Sequence, residues 1–474
     1  MKNLSPNNIT NFTDFSKGNI HFIGIAGMSM RSLAEIMLNS FSSVSGTDKN
    51  IPIGISTEIS CFLNSDISQV PPNTSLVVIN KSVPKDHPDL VYAKKNSIPI
   101  IPRIQLLNQI TENRPKILVT GTDGKTSTSY FTYQLCKSID PFLLIGAEIE
   151  KNKCYHIGKG PYIVEHNEAD LLENLDSSDI LIFTNFDGKD HIWCYEYNYE
   201  LFFNLYATMV SQTKYLIYNS DEENIEKLLK NPNFISTTPS PTLISFGTNR
   251  KAQYRISNID ETIENLTFDL TFQNKIYKIK TFLNGKFSAY NVTAAIIASY
   301  VMEYKFILNN NDNDNDNDNH LLENIIRNCE FLKHTESRFE VIYQDSEKLI
   351  VNSIHNSGNS LKQVIESYKK YNKPISVLLS IDIPGSDRGE VFFEEFMEAV
   401  ENIPIAFLSN SLLAKKAFQN RSDRIASSTI ISNQEDFNQF IYNISGICIV
   451  SHTKFCFHKY LKNSFSNFQS CFYV

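Results

Sequence analysis

The sequence predicts the α/β fold class, with doubly wound parallel sheets repeated along the chain. Short apolar, strand-like runs alternate with segments of helical periodicity, from Ile20–Ile25 near one end to Ile405–Leu408 near the other. Alternation of this kind is typical of parallel sheets, because each parallel crossover usually contains a helix. The chain has 474 residues, of which 42% are hydrophobic, which is enough for about three domains with cores of their own.

Composition excludes several classes of protein. A net charge of -8 and a pI near 5.8 give no basic surface for nucleic acid. The polar start, Met1–Asn7, lacks the apolar core of a signal peptide, and no apolar run is long enough to span a bilayer. Eight cysteines without a C-x-x-C pair favour reduced thiols over disulfides or a zinc site. We therefore expect a cytoplasmic protein with no membrane or nucleic-acid partner.

The first segment, residues 1–113, opens with a predicted strand at Ile20–Ile25, a glycine-containing turn and a helix at Met30–Leu38. A second strand ends in Val44–Asp48, and a later one covers Ser75–Ile79. A strand, a glycine turn and a helix in this order are the start of a Rossmann-like unit. The sequence therefore predicts a Rossmann-like N-terminal domain.

The second segment, residues 114–332, is predicted to be a central domain of the P-loop ATPase type. Strand Ile117–Thr120 leads into a glycine-containing loop, and a helix is expected at Thr128–Ser138. Further strands, a hairpin and a helix are expected at Tyr162–Val164, Ile180–Asn185, Tyr215–Tyr218, Phe268–Phe272 with Tyr277–Phe282, and Ala289–Tyr300. An Asn/Asp repeat, Asn309–Asn319, is too polar to pack and is predicted to be a solvated excursion.

The third segment, residues 333–474, again alternates strands and helices. Its elements are expected at Lys348–Val351, Leu361–Tyr371, Ile375–Ser380, Glu394–Val400 and Ile405–Leu408. This order predicts a second Rossmann-like domain at the C-terminal end.

The most informative run lies between strand and helix in the second segment. Gly121 and Gly124 let the backbone point its N–H groups at phosphate oxygens, and Lys125 can neutralise the outer phosphates. The Thr126 hydroxyl can ligate Mg²⁺. Val119 stands where the general Walker pattern has glycine, so an accidental glycine-rich turn is the alternative interpretation. The predicted ATP-binding residues here are Gly121, Thr122, Asp123, Gly124, Lys125, Thr126 and Ser127.

This short G-T-x-G-K-T-S loop resembles that of the Mur ligase superfamily, whose members form amide bonds at the expense of ATP. The run His21–Met30 is similar to the family's H-F-I-G-I-G-G-x-G-M opening, which binds a UDP-sugar, with Ala26 and Ser29 in place of two glycines. Val44–Asp48 is similar to the family's V-S-G-S-D. The resemblance implies the UDP-sugar-binding residues Gly24, Gly27, Asp48 and Ser82.

The resemblance also implies a metal site in the central segment. Glu165–Asp170 stands where the family has E-A-D-E-S-D, and Thr184–His191 resembles T-N-I-x-x-D-H with one extra residue. Oxygen ligands suit Mg²⁺, which bridges ATP phosphates. The implied metal ligands are Thr126, Glu165 and His191. Taken alone, the carboxylates could equally be solvated surface and the histidine part of a strand-end turn.

Three more positions are implied near ATP. Asn291 matches the second asparagine of P-G-x-H-N-x-x-N-x-x-A-A and is expected near the adenine, while Phe287 and Ser288 replace the His-Asn pair. Arg338 lies in a match to R-R-F-E and is expected at the terminal phosphate, where a guanidinium can bind two oxygens. His355 lies in a match to D-Y-A-H-x-P. The predicted catalytic residues are Lys125, Arg338 and His355.

The resemblance implies ligation of L-alanine to UDP-N-acetylmuramate through an acyl phosphate in peptidoglycan precursor synthesis, with ATP and Mg²⁺ as cofactors. Several branches of the family use a carbamylated lysine on the helix after the D-H motif. Residues 200–212 contain no lysine, which favours the L-alanine branch. Two alternatives stay open: a murein tripeptide as the acceptor, and a ligase-derived nucleotide-binding regulator without catalysis.

Overall fold

Over the residues that it describes, the computed structural model contains three sheets of five, ten and six strands with helices between the strands. This arrangement confirms the predicted α/β fold class. The structure describes residues 18–51, 54–80, 83–150, 153–166, 178–188, 192–235, 239–262, 265–307, 315–335, 338–354, 358–381, 387–409, 411–452 and 464. No helix within these ranges is long and apolar enough to cross a membrane.

The first sheet is parallel, with strand order β3-β2-β1-β4-β5. The chain order reverses between β1 and β4, and ligands of doubly wound sheets bind at such a switch point, beyond the carboxyl ends of the strands. The elements are β1 (Asn19–Ile23), α1 (Met28–Met37), β2 (Ser43–Asp48), β3 (Ile59–Leu63), β4 (Thr74–Ile79), α2 (Pro88–Lys95), β5 (Ile100–Pro102) and α3 (Arg103–Ile110).

The second sheet has the strand order β15-β14-β13-β12-β11-β10-β6-β9-β7-β8. Strand β6 pairs in parallel with both β10 and β9, so the segment after β6 emerges from the interior of the sheet. The hairpin β14–β15 is antiparallel, as predicted. The elements are β6 (Lys116–Thr120), α4 (Lys125–Leu135), β7 (Phe142–Leu144), β8 (Tyr155–His156), β9 (Tyr162–Glu165), β10 (Ile180–Phe183), α5 (Tyr199–Ser211), β11 (Tyr215–Asn219), α6 (Glu223–Leu229), α7 (Pro232–Ile235), β12 (Thr242–Gly247), β13 (Tyr254–Glu261), β14 (Leu266–Phe272), β15 (Lys275–Thr281), α8 (Phe287–Val301) and α9 (Asn315–Asn328).

Helix α4 starts three residues earlier than predicted and ends before Ser138, so the expected range Thr128–Ser138 is wrong at both ends. Gly124 has a left-handed conformation and lies directly before the helix. At the other end the chain tightens into a 3₁₀ turn, Lys137–Ile139, followed by Asp140 in a left-handed conformation. A left-handed residue ends a helix because its carbonyl no longer points along the axis.

The described part of the Asn/Asp repeat differs from the prediction. A solvated excursion is wrong for Asn315–Asn319, which forms the start of α9. Leu322 and Ile325, farther along α9, are buried and stabilise the helix by packing. Residues 309–314 lie outside the described ranges.

The third sheet has the order β16-β17-β21-β18-β19-β20, and all its pairs are parallel except β16 with β17. Apolar residues of its strands alternate between two buried clusters, with Val377 and Leu379 in one and Leu378 in the other. Helices therefore cover both faces. The elements are β16 (Glu340–Gln344), β17 (Lys348–Ile354), α10 (Gly358–Lys369), β18 (Ile375–Ser380), α11 (Asp387–Ala399), β19 (Pro404–Phe407), α12 (Leu412–Gln419), β20 (Ser427–Ile430), α13 (Gln434–Asn443) and β21 (Gly446–His452).

The chain divides into two compact units. The first contains the chain up to Ile244 together with Ala295–Leu321, and the second contains Ser245–Ala294 together with the chain from Leu322 onward, apart from single residues near the end. The three domains proposed from the sequence, 1–113, 114–332 and 333–474, remain a prediction.

Among the described cysteines, four are buried, and they are distributed over both units. Cys136 and Cys154 lie in the first unit, and Cys329 and Cys448 lie in the second. All four are free, as are the partly exposed Cys61 and Cys194. Burial raises the pKa of Cys136, Cys154 and Cys448 to about 12, and it raises that of Cys329 as well.

Candidate nucleotide-binding site

The loop between β6 and α4 contains two glycines whose backbone conformations other residues rarely adopt. Gly121 has a φ of +128°, and a Cβ atom there would lie 2.3 Å from Thr184 Oγ1 and 2.7 Å from the carbonyl oxygen of Asn185. Gly124 has a φ of 82° and immediately precedes α4. The loop therefore brings the positive N-terminal end of α4 to the carboxyl end of an interior strand, which is a favourable place for phosphate.

The segment after β10 holds this loop in shape. Asn185 Oδ1 accepts a hydrogen bond from the Asp123 N–H at 2.7 Å, and its Nδ2 donates to the Asp123 carbonyl at 3.0 Å. Thr184 Oγ1 donates to the same carbonyl at 2.7 Å. The sequence analysis did not assign either residue to the site, although both belong to the quoted T-N motif. Their contacts preorganise the loop.

Lys125 is the first residue of α4, and its ammonium lies against the loop. Nζ donates to the carbonyl oxygens of Gly121 and Thr122, the second at 3.0 Å. These acceptors are neutral, so phosphate oxygens would replace them with stronger, charge-assisted hydrogen bonds. The position fits the predicted role of Lys125 in binding ATP.

Thr126 and Glu165 bring two oxygen atoms together at the start of α4. Thr126 Oγ1 donates to Glu165 Oε1 at 2.7 Å, and the Gly146 N–H donates to Glu165 Oε2 at 2.6 Å. Hydroxyl and carboxylate oxygens fit Mg²⁺, which usually takes one or two protein ligands and completes its shell with phosphate and water. Among the described residues, no three His, Cys, Asp or Glu side chains form a metal-binding group. The fit of Mg²⁺ to this site therefore depends on Thr126 and Glu165.

Carboxylates beside the loop add negative charge. Burial raises the pKa of Glu222, and the nearby carboxylates of Asp221, Asp187 and Asp123 raise it further. Thr122 Oγ1 donates to Asp187 Oδ1 at 3.1 Å, so one of these groups also contacts the loop. ATP phosphates would be repelled here unless a cation accompanied them.

The glycine turn after β1 lies at the switch point of the first sheet. Gly24 has a φ of +88°, and the Gly27 N–H donates to its carbonyl at 3.3 Å. The Ala26 N–H donates to Asp48 Oδ2 at 2.9 Å. Asp48, expected to contact the uridine, therefore also holds the turn. Its role toward a ligand remains a prediction.

Ser29, which replaces a family glycine, contacts a residue that the sequence analysis did not single out. Arg103 Nη1 donates to Ser29 Oγ at 2.9 Å, which ties the first turn of α1 to the first residue of α3. Only the fold brings these two residues together, so no local pattern indicates the pair.

Arg338 lies beside a half-buried histidine in the second unit. Loss of solvent around the ring, which is the larger cause, and the nearby Arg338 charge together lower the pKa of His334 to about 3. The Asn284 N–H donates to His334 Nε2 at 3.3 Å, which requires that nitrogen to be unprotonated. The Arg338 guanidinium therefore lies beside a neutral imidazole.

The start of α8 shows what replaces the family's His-Asn pair. The Phe287 ring packs on that of Phe339, with ring centres 5.4 Å apart, and Ser288 Oγ donates to the Asn284 carbonyl at 2.6 Å. Both substitutions therefore stabilise the beginning of the helix. Asn291 lies one turn later and is 7% exposed. The other predicted site residues, Ser82, His191 and His355, lie outside the described ranges.

Two ranges of the chain match models of known protein domains. Residues 19–115 match the catalytic domain of the Mur ligase family, and residues 162–299 match the Mur ligase middle domain. The chain belongs to the Mur ligase family. The two matched ranges of this Mur ligase contain the glycine turn, Glu165 and Asn291.

Curated relatives of this Mur ligase are named for one reaction. The UDP-N-acetylmuramate–L-alanine ligase of Dictyoglomus turgidum is 30% identical over 302 residues, which cover 60% of this chain and 62% of the relative. The same enzyme of Clostridium tetani is 26% identical over 436 residues, covering 88% of this chain and 87% of the relative.

A solved structure shares the fold. The UDP-N-acetylmuramate-alanine ligase MurC of Thermotoga maritima superposes with a TM-score of 0.74 at 17% identity, covering 94% of this Mur ligase and 98% of that chain. At this identity the likeness shows the fold alone.

Proposed function

We propose that this Mur ligase joins L-alanine to the carboxylate of UDP-N-acetylmuramate, converting ATP to ADP and phosphate, in peptidoglycan precursor synthesis. The observation that carries the proposal is the preorganised phosphate loop, which presents Lys125, Thr126 and Glu165 together. The names of the curated relatives supply the two substrates.

The chemistry follows from the weakness of a carboxylate as an acyl donor. Transfer of the ATP γ-phosphoryl group to the muramate carboxylate gives an acyl phosphate and ADP. The amine of L-alanine then attacks the acyl carbon, and phosphate leaves as the amide forms. Lys125 at the loop stabilises charge that moves onto the phosphate oxygens, and we assign the same role to Arg338.

We further propose that Thr126 and Glu165 hold Mg²⁺, with His191 as an additional ligand. The ion would supply charge neutralisation on the phosphates beside the carboxylates that surround the loop. We also propose a cytoplasmic location and no partner other than the small-molecule substrates.

The acceptor is assigned from α5, the helix that follows the D-H motif. Tyr199–Ser211 contains no lysine, so it offers no carbamylated metal ligand of the kind implied for other branches. The alternative acceptor, a murein tripeptide, is favoured only by Ala26 and Ser29 in the glycine turn.

The test is ADP release with ATP, Mg²⁺ and UDP-N-acetylmuramate, comparing L-alanine, glycine, L-serine and the tripeptide. L-Alanine should support rapid release, glycine and L-serine weak release, and the tripeptide none. One methyl group in an apolar pocket is worth about 1–3 kcal/mol, which sets the expected discrimination against glycine. A faster reaction with the tripeptide would assign the alternative branch. Absence of acceptor-dependent ADP release would favour the non-catalytic regulator.

A further inference from the structure

The hairpin formed by β7 and β8 touches the proposed metal ligand at one of its ends. Strand β7 pairs in parallel with β9, and Leu144 lies opposite Val164, the residue before Glu165. Two residues after Leu144, the Gly146 N–H donates to Glu165 Oε2 at 2.6 Å. The position of the hairpin therefore decides where one carboxylate oxygen is held, and thus how the other faces Thr126.

The same hairpin is held by a buried ion pair from the first sheet's helix α1. Arg31 Nη2 lies 3.6 Å from Glu148 Oε1, and each side chain is only 9% exposed. The same nitrogen lies 4.0 Å from the sulfur of Cys154, on the returning side of the hairpin. A buried guanidinium requires such partners because unpaired charge inside a protein is costly.

A second contact, one helical turn along α1, strengthens this connection. The Tyr155 hydroxyl donates a hydrogen bond to Glu35, which also accepts the Ser56 N–H at 3.3 Å. The two sides of the hairpin are themselves joined, since the Ile145 N–H donates to the Cys154 carbonyl at 3.0 Å. Helix α1 thus contacts both sides of a cross-linked hairpin whose Gly146 N–H donates to the Glu165 carboxylate.

We propose that Arg31 is a positioning residue: through Glu148 and the β7–β8 hairpin it fixes the orientation of the Glu165 carboxylate and so sets the strength of metal-dependent ATP binding. The inference rests on the proposed metal role of Glu165 and Thr126. Helix α1 also follows the turn expected to bind the UDP-sugar, so Arg31 links the two ligand sites of the first unit.

The test is calorimetric binding of ATP to the full chain, once with Mg²⁺ and once with EDTA, without sugar nucleotide or acceptor. With Mg²⁺, Arg31→Gln should raise the Kd for ATP about tenfold. This is the lower end of the loss in affinity, about 10–100-fold, that follows removal of a group that orients a metal ligand. With EDTA the Kd should not change, because the loop N–H groups and Lys125 remain. Glu148→Gln should reproduce this pattern, and the double variant should be no weaker than either single variant.

Lys214→Gln is the matched control, since it breaks an exposed ion pair with Asp179 in the same unit and should alter neither Kd. If Arg31→Gln does not fold, Arg31→Lys keeps the charge with a shorter reach and should show a smaller change in the same direction. Equal weakening with and without Mg²⁺, or no weakening at all, would overturn the proposal. Because no acceptor is present, a failed L-alanine reaction with a retained Arg31 effect would refute the proposed reaction alone.

Discussion

The Lys125 ammonium is held by loop carbonyls that phosphate can replace, which makes this side chain a direct test of ATP binding. Lys125→Ala should lower L-alanine-dependent ADP release by at least about a hundredfold, because a charge-stabilising donor is lost. The melting temperature should change little, since the bonds lost join a half-buried ammonium to carbonyls. Lys137→Ala, on the exposed surface beyond the opposite end of α4, should leave both quantities unchanged. Near-normal turnover in folded Lys125→Ala would refute the phosphate-loop assignment.

Asp89 in the first sheet's domain has an unusually well satisfied carboxylate. It accepts hydrogen bonds from Thr47 Oγ1 at 2.6 Å, Ser68 Oγ at 2.9 Å and the Gln69 N–H at 2.7 Å. Burial acts to raise the pKa of Asp89, but hydrogen bonds from His21, Thr47 and Gln69 outweigh it and hold the pKa well below its usual value. The folded state therefore favours the ionised carboxylate more than the unfolded chain does.

This shift predicts acid sensitivity. A lowered folded pKa stabilises the protein above the unfolded value of about 3.9 and loses that contribution as the pH falls below it. Asp89→Asn should lower the free energy of unfolding by about 2–3 kcal/mol near pH 7, because the groups that donate hydrogen bonds to Asp89 lose their charged acceptor. The deficit should shrink near pH 3 in urea titrations. An equal deficit at both pH values would show that the carboxylate charge does not contribute.

Sequence motifs identify the residues proposed to contact ligand more readily than the residues that hold them in position. Lys125, Thr126 and Glu165 could be assigned because a phosphate loop and its carboxylate have recognisable patterns. Asn185 and Arg103 could not, because their partners become neighbours only through β10 beside β6 or α3 beside α1. Contacts of this kind depend on sheet order, which local patterns do not contain.

Proline substitutions in helix α9 test whether the Asn/Asp repeat is helical from Asn315 onward. Asn315 is the first residue of the helix and Asn319 the fifth. Asn315→Pro should be tolerated, because proline suits the first helical position. Asn319→Pro removes an intrahelical hydrogen bond and should cost about 3 kcal/mol, lowering the melting temperature by several degrees. Equal melting temperatures for the two variants would mean that the helix starts later than Asn315.

The accuracy of the predicted strands depends on how deeply they are buried. Strand Ile375–Ser380 is predicted to the residue, because its apolar run begins after Pro374 and ends at Ser380. Strand β3, Ile59–Leu63, was not predicted, because it is a half-exposed edge strand whose burial comes from pairing with β2. Propensity alone does not identify such strands, since packing decides them.

The fold of the second unit joins stretches that are distant in sequence. Lys370 Nζ lies 3.0 Å from Glu261 Oε2, and the other carboxylate oxygen accepts the Gly285 N–H at 2.8 Å. The Glu261 side chain is 3% exposed and that of Lys370 is 31% exposed. Removing the lysine would leave a buried carboxylate without its cation.

Lys370→Met should therefore lower the free energy of unfolding by about 3 kcal/mol, the usual cost of breaking a buried pair. Lys369→Met is the neighbouring control, since Lys369 pairs with exposed Glu366 and such pairs contribute about 0–1 kcal/mol. Urea unfolding of both variants measures the difference. Equal effects at the two positions would show that the buried pair contributes nothing specific.

The sequence predicts three α/β segments, but it does not indicate that Ser245–Ala294 forms a compact unit with the chain from Leu322 onward. Ser245 lies within strand β12, so periodicity contains no boundary there. Long-range contacts such as Lys370 with Glu261 define the unit instead.

Alkylation of the buried thiols can report the unfolding of this chain. Only a thiolate reacts readily with alkylating reagents, so burial and a raised pKa protect Cys136, Cys154, Cys329 and Cys448 until the surrounding backbone opens. Two of these cysteines lie in each unit. Mass spectrometry of alkylated peptides along a denaturant series would therefore record when each unit opens, without any introduced label.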